Sequence, residues 1–470
     1  MKTRIFIGFF LIVFLISAIG TATAETSFVD RSGNRIVVNR PFHRIISLYG
    51  AHSENLFSLG LDKEVIGVSK NEAYPPLALT KPVYSYHDDA EKFLAAKPDL
   101  VLIRPMIARG YPNLVEKLEH AGVCVVSLQP NTVEEMFLYW KKLGMLTGRE
   151  KEAYRMITKF KEELTRIKKL VAKVPLSERK KVYFESIHSK MKTFAPTSIA
   201  IFALESAGGI NVADDAVGRH GTNIAAYGKE RILSHAHEID VYLAQRGAMN
   251  HVTLRRIKEE GGFEAIKAVR EGNIFIIDEK IVSRPTMRLL DGIYEIGRFL
   301  YPSVFNDVSV FLSKPVITRA AFAEMFVKMM NIPIKTPDYR HDIAKRPKTH
   351  HRYGDFKDVD YRGNSYKFIE TAVYRGLFPN IKKDMFYPDQ PVKKSTVAYA
   401  LFMHFDFPEV TAKVNISDVK ASDPLFEQIR TAVGLGIMPV DSRGAFLPQR
   451  HLSGKQIYRM VNKAKEIAKK

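Results

Sequence analysis

Ile157, Phe160, Leu164, Ile167, Val171 and Val174 recur at steps of three and four residues and draw one apolar stripe along a helix. The other faces of this stretch are rich in Lys, Arg and Glu. Helical patterning reaches back to about Val133, with a break expected near Gly148. A long amphipathic helix at 133–174 therefore divides the chain into an N-terminal and a C-terminal part.

Both flanks alternate short apolar strands with helices. Before the helix, strands are expected at Arg44–Leu48, Glu64–Val68, Asp99–Ile103 and Val123–Ser127, with a helix at Ser53–Leu59 for which Ser53 is a suitable N-cap. After it, Lys181–Glu185, Asp240–Ala244 and Asn273–Asp278 read as strands, and Ser198–Ser206 and Leu289–Leu300 as helices. Strands separated by helices imply parallel pairing. The fold class is α/β: two Rossmann-like lobes, about 25–132 and 181–308, joined by a single long helix.

The chain opens on Lys2 and Arg4, an apolar run from Ile5 to Ile19, and Ala22-Thr23-Ala24. That pattern predicts a signal peptide over 1–24, cut after Ala24, and hence export. Lys and Arg number 71 against 51 Asp and Glu, a net charge of +20, which calls for an anionic partner. Export rules nucleic acid out of that role and leaves an envelope polymer or an anionic ligand. Cys124 is the only cysteine, so no intrachain disulfide framework forms. His341, His350 and His351 sit in a basic loop without carboxylates at ligand spacing, and no direct metal site is expected.

From Ser313 the texture changes. Asp358-Val359 matches Asp418-Val419, Gly376 matches Gly436, and Phe386 and Pro388 match Phe446 and Pro448, all 60 residues apart. The second helix of the unit also occurs earlier, from Ile317, without its first half. Residues 313–470 therefore read as a separate helical repeat module.

Parallel sheets hold ligands at the carboxyl ends of their strands. That rule selects Tyr49 and His52 after the first strand, and Arg104 and Met106 after the third. In the second lobe it selects Ser186 and His188, then Gln245 and Arg246. Tyr86 and His87 precede a helix carrying Glu91. A loop with Arg219, His220 and Tyr227 leads to Glu230, and Arg284 and Arg288 precede the closing helix. The set is basic and aromatic, suited to anionic oxygens and flat ligands.

The segments SFVDRSGNRIVVNRPFHRIISL, SENLFSLGLDKEVIGVS, DAEKFLAAKPDLVLI, GGINVA, AVREGNIFIID and MRLLDGIYEIGRFLYP occur in the order seen in a known family. From Ser27 to Pro302 the chain resembles periplasmic binding proteins of ABC importers for iron chelates, haem and cobalamin (class III). The resemblance implies a non-enzymatic protein without a cofactor that captures a metal chelate and delivers it to a permease. A ferric siderophore comes first, and haem or cobalamin is the alternative. It implies that Glu91 and Glu230 dock the two lobes on the permease, and that His220, in GRHG, faces the metal of the chelate. An anionic chelate is then expected between Arg104 and Arg246. Cobalamin binders are expected to show tryptophan at the pocket, and the one tryptophan, Trp140, lies on the linking helix. The tail, with ITRAAF at 317–322, is similar to S-layer homology repeats, which implies a cell-envelope polymer as a second partner. An envelope structural protein that keeps the binding-protein fold is a further alternative.

Overall fold

The computed structural model describes residues 26–72, 74–218, 222–335, 356–379, 381, 385–411 and 413–468. The leader 1–24, Arg219, His220, His341, His350 and His351 lie outside the described residues. Among the described residues, no helix is long and apolar enough to cross a membrane.

A hairpin of β1 (Thr26–Val29) and β2 (Arg35–Val38) precedes the first lobe. That lobe holds β3 (Ile45–Ser47), β4 (Val65–Ser69), β5 (Val83–Tyr84), β6 (Leu100–Ile103) and β7 (Cys124–Ser127) in the parallel order β5-β4-β3-β6-β7. All four residues of β6 are buried, as its unbroken apolar run requires in a sheet covered on both faces. Helix α1 (Gly50–Ser58) starts three residues before the expected position. Ser53 is therefore not its N-cap. It lies inside the helix, buried, with Oγ 2.8 Å from Ser47 Oγ and 2.9 Å from Glu72 Oε1. Helix α2 (Ala90–Ala95) carries Glu91 in its first turn.

The linking segment is two helices, α3 (Val133–Thr147) and α4 (Glu150–Val171), broken at the glycine where the sequence suggested an interruption of one long helix. Gly148 separates them in the left-handed region at φ 64°, a conformation that glycine adopts without a Cβ clash. Ile157, Phe160, Ile167 and Val171 of the stripe are buried in a core that also takes residues from both lobes.

The second lobe contains β8 (Lys181–Ile187), β9 (Lys192–Phe194), β10 (Ile210–Asn211), β11 (Ile224–Ala226), β12 (Val241–Arg246) and β13 (Ile274–Asp278). Its order is β11-β9-β8-β12-β13, with β10 beside β8; β9 and β11 are the antiparallel members. Helix α5 (Ile199–Ser206) is capped by Ser198, whose Oγ accepts from the Ile201 N–H at 3.2 Å. Helix α6 (Lys229–Ser234) carries Glu230, and α7 (Leu289–Leu300) closes the lobe.

The C-terminal module has its own core, from Val308 to Ala464. Its helices are α8 (Arg319–Met329), α9 (Tyr366–Tyr374), α10 (Lys394–His404), α11 (Phe426–Gly434) and α12 (Gly454–Ala468). The repeated Asp of each unit has a visible purpose. Asp358 accepts from the backbone N–H groups of Phe386 and Tyr387, and Asp418 does the same for Phe446 and Leu447, at 2.6–2.9 Å. Three units close into a ring. The Arg319 N–H donates to Gln390 O, Lys394 N–H to Arg450 O, and Gly454 N–H to Lys314 O. Ser309–Leu312, with Phe311 buried, packs against α12 at the start of the module.

The module packs against both lobes and the linking helix. Tyr361 Oη donates to Phe57 O at 3.1 Å in the first lobe. Lys159 and Glu163 of α4 hold Arg362 O and the Asn364 side chain, and Lys367 pairs with Asp291 of α7 at 2.7 Å.

Candidate functional site: a cationic cleft between the lobes

In the first lobe the chain runs outward from β3 to β4 and β5, then returns to β6 on the other side of β3. The strand order reverses there, which is where open parallel sheets place ligands. Tyr49 follows β3 and Arg104 follows β6. The Arg104 guanidinium lies 4.5 Å over the Tyr49 ring, and its Nε donates to Gln129 Oε1 at 3.1 Å. Both residues line a cavity of about 880 Å³ that also takes residues from the second lobe, including Gln245, Met249 and Arg284.

The lining is cationic. Arg31, Lys70, Arg104, Arg109 and Arg284 face it against one carboxylate, Glu279, among its described residues. Arg31 is partly spent on an ion pair with Glu135. Tyr86 and His87 line one side, with Tyr111 tilted against the first ring and edge-to-face with the second; the Tyr111 Oη lies 3.1 Å from His87 Nδ1. Met106 and Met249, both exposed, add soft apolar surface from the two lobes. The cleft therefore offers anionic oxygens a field of cations and offers a flat ligand aromatic faces.

Three expected ligand residues are elsewhere. Arg288 is buried against Glu54 and stacks over Tyr74, away from the cleft. Arg284, four residues earlier, faces the cleft in its place. Arg246 is exposed and does not line the cavity, because strand alternation gives that side to Gln245. Of the expected Arg104–Arg246 pair only Arg104 lines the cavity, and Arg284 is the cation that the second lobe contributes to it. His52 is fully buried in the first turn of α1. Ser186, His188 and Tyr227 are likewise buried in the second lobe; His188 Nδ1 lies 2.7 Å from Glu185. Cys124 is half-buried at the start of β7, and burial pushes its thiol up to about 11. Trp140 is buried with its N–H on Pro285 O at 3.1 Å and lies outside the cleft.

His52 has a structural role with a pH signature. Burial, aided by the charge of Arg104, lowers its pKa from 6.5 to about 3. A neutral ring donates from Nε2 to Ile103 O at 3.1 Å and accepts the Tyr139 hydroxyl at Nδ1, 2.7 Å away. The unfolded chain takes up this proton near pH 6.5, and the folded chain only near pH 3. Between these values the unfolded state binds more protons, so stability falls as the pH falls. From pH 6.5 to 4 this site alone removes about 3 kcal/mol. Urea unfolding of His52→Gln at several pH values is expected to show an acid slope reduced by that amount. An unchanged slope would contradict the assignment.

Glu91 and Glu230 are exposed in the first turns of α2 and α6. Glu91 has Lys117 at 4.0 Å. Each helix starts a few residues after cleft-lining positions, Tyr86 and His87 in one lobe and Asn223 and Ile224 in the other. Among the described residues, no group of three or more His, Cys, Asp or Glu is placed to hold a metal ion.

Residues 45–281, just over half of the chain, match the periplasmic binding protein family, and the chain belongs to that family. Residues 355–398 and 415–457 match the S-layer homology domain. Together they define an exported, envelope-associated protein. An ABC transporter substrate-binding lipoprotein of Bacillus subtilis is 23% identical over 291 residues, covering 59% of this chain and 86% of its own. A vitamin B12-binding protein of Vibrio parahaemolyticus is 25% identical over 264 residues, 55% of this chain and 90% of its own. A solved solute-binding protein of Staphylococcus epidermidis, described as a possible iron-binding protein, is 27% identical with a TM-score of 0.49, covering 56% of this chain and 100% of its own.

Proposed function

We propose that this protein is the binding component of an ABC importer and captures a metal chelate of the haem or cobalamin type. The observation that carries this reading is the cleft at the strand-order switch, lined among the described residues by five cations, one carboxylate and several aromatics. The sequence alone puts a ferric siderophore first. The relatives named for vitamin B12 give more support to its alternative. Ligand affinity that differs between open and closed lobes would set the population presented to the permease.

Glu91 and Glu230 are the proposed docking carboxylates, one per lobe, for arginines on a two-fold permease. Glu91→Ala combined with Glu230→Ala is expected to leave chelate affinity within about threefold and to abolish uptake of haemin or cyanocobalamin by cells that depend on this chain. Normal uptake by the double variant would refute the docking role.

The C-terminal module is proposed to hold the protein to an anionic envelope polymer. The net charge of +20 and the match to the S-layer homology domain support this. Arg319, in the ITRAAF segment, already donates to Phe386 O and lies between Phe378 and Phe386, so other cations would carry most of the contact. Salt-reversible co-sedimentation of the full chain with envelope material checks it; recovery in the supernatant at low salt would count against it.

A further inference from the structure

The floor of the cleft holds a buried cation with one nitrogen left without a partner. Arg284 is 8% exposed and reaches from the second lobe into the first, where its Nη2 donates to Asn71 O at 3.2 Å. Its Nη1 is buried without a hydrogen-bond partner. A buried, unsatisfied guanidinium N–H is costly and calls for an explanation. Glu72, buried behind it, is a poor counter-ion. Burial pushes its carboxyl up against the pull of the Arg284 charge; its Oε1 is taken by Ser53 and Ser69, and its Oε2 makes no hydrogen bond to the guanidinium.

The same Nη1 sits over the start of α1. A Cβ at Gly50 would lie 2.3 Å from it, so glycine is what allows the approach. Helix α1 is nine residues long, has no acidic residue in its first turn, and the Tyr49 side chain does not cap it. The N–H groups of His52 and Ser53 turn back to Tyr49 O. Those of Gly50 and Ala51 have no acceptor within the helix. The positive end of the helix and the free guanidinium N–H therefore converge, and Tyr49, Gly50 and Arg284 all line the cleft. Arg104 differs: it is already engaged with Gln129 and Tyr49.

We infer that Arg284 and the N-terminus of α1 form an oxyanion subsite at the cleft floor, which takes a free carboxylate or phosphate group of the captured chelate. This rests on the chelate reading above and narrows it to ligands that carry such a group. The carboxylates of haem match it, and the phosphodiester is the one anionic group that a cobalamin would offer it.

Calorimetric titration of the full chain with haemin, haemin dimethyl ester and cyanocobalamin tests this, because the first two differ only in their free carboxylates. Haemin is expected to bind at least tenfold more tightly than the ester. Arg284→Gln should abolish the difference in affinity between haemin and its ester. Gly50→Ala, whose Cβ displaces Nη1 without removing the charge, should act in the same direction if Arg284→Gln does not fold. Inorganic phosphate that competes with haemin only in the unmodified chain would also support the subsite, with a free anion as its occupant. Equal binding of haemin and ester, or a preference that survives both substitutions, would overturn it. Binding of cyanocobalamin alone would support the subsite if Arg284→Gln weakens it at least tenfold; if Arg284→Gln leaves it unweakened, the subsite is overturned and the chelate reading stays intact; binding of none of the three would remove both.

Discussion

Glu54→Ala is expected to lower the stability of the binding domain by about 3–5 kcal/mol. Glu54 is 2% exposed on α1 of the first lobe. It accepts from Arg288 Nε, from Arg288 Nη2 at 2.8 Å and from the Thr286 hydroxyl at 3.0 Å, all from the second lobe. Burial opposes the Arg288 charge, but the Glu54 carboxylate outweighs it and holds the guanidinium more firmly protonated than usual. Truncating either partner leaves the other charge buried and uncompensated. Arg288→Ala should cost about as much, while Glu54→Leu with Arg288→Met should be nearer to neutral, since an apolar pair removes both desolvation penalties. Equilibrium urea unfolding of the two singles and the double measures this. Single losses under about 1 kcal/mol would show the pair to be solvent-screened.

This pair also anchors one lobe to the other. Beside it, Asn55 Nδ2 and Trp140 Nε1 both donate to Pro285 O. Tyr74, under the Arg288 guanidinium, makes edge-to-face contacts with Tyr361 and Tyr366 of the C-terminal module. The linking helices, the buried ion pair and the module thus meet at one junction, and none of these residues lines the cleft. Lobe motion has to be accommodated there, which favours a small hinge movement over a wide one.

The sequence disclosed what periodicity and strand-end rules control. The apolar stripe located α4, the strand runs located both sheets, and the carboxyl-end rule located Tyr49 and Arg104. It did not disclose side-chain direction within a turn. Arg284 and Arg288 are four apart with equal chemistry, yet one faces the cleft and the other the core, because Glu54 waits across the lobe boundary. His52 was misplaced for a related reason: starting α1 at Gly50 turns position 52 inward toward Ile103 and Tyr139. Gln245 displaced Arg246 through a one-residue register that burial alone decides. The first repeat unit was half-hidden because Phe311 and Ile317 keep the spacing of Phe386 and Val392 while the residues between them differ.

The most direct test of the whole account is titration of the purified full chain with haemin, cyanocobalamin and a set of ferric siderophores, followed by absorbance and calorimetry. Charge-assisted hydrogen bonds from Arg104 and Arg284, each contributing about 1.5–3 kcal/mol, together with aromatic and methionine contacts, are sufficient for a dissociation constant at or below about 1 μM. The account predicts saturable binding of one haem- or cobalamin-type chelate per chain, weakened roughly 10- to 100-fold by Arg104→Ala and unaffected by Arg246→Ala. No saturable response to any of these chelates would contradict it.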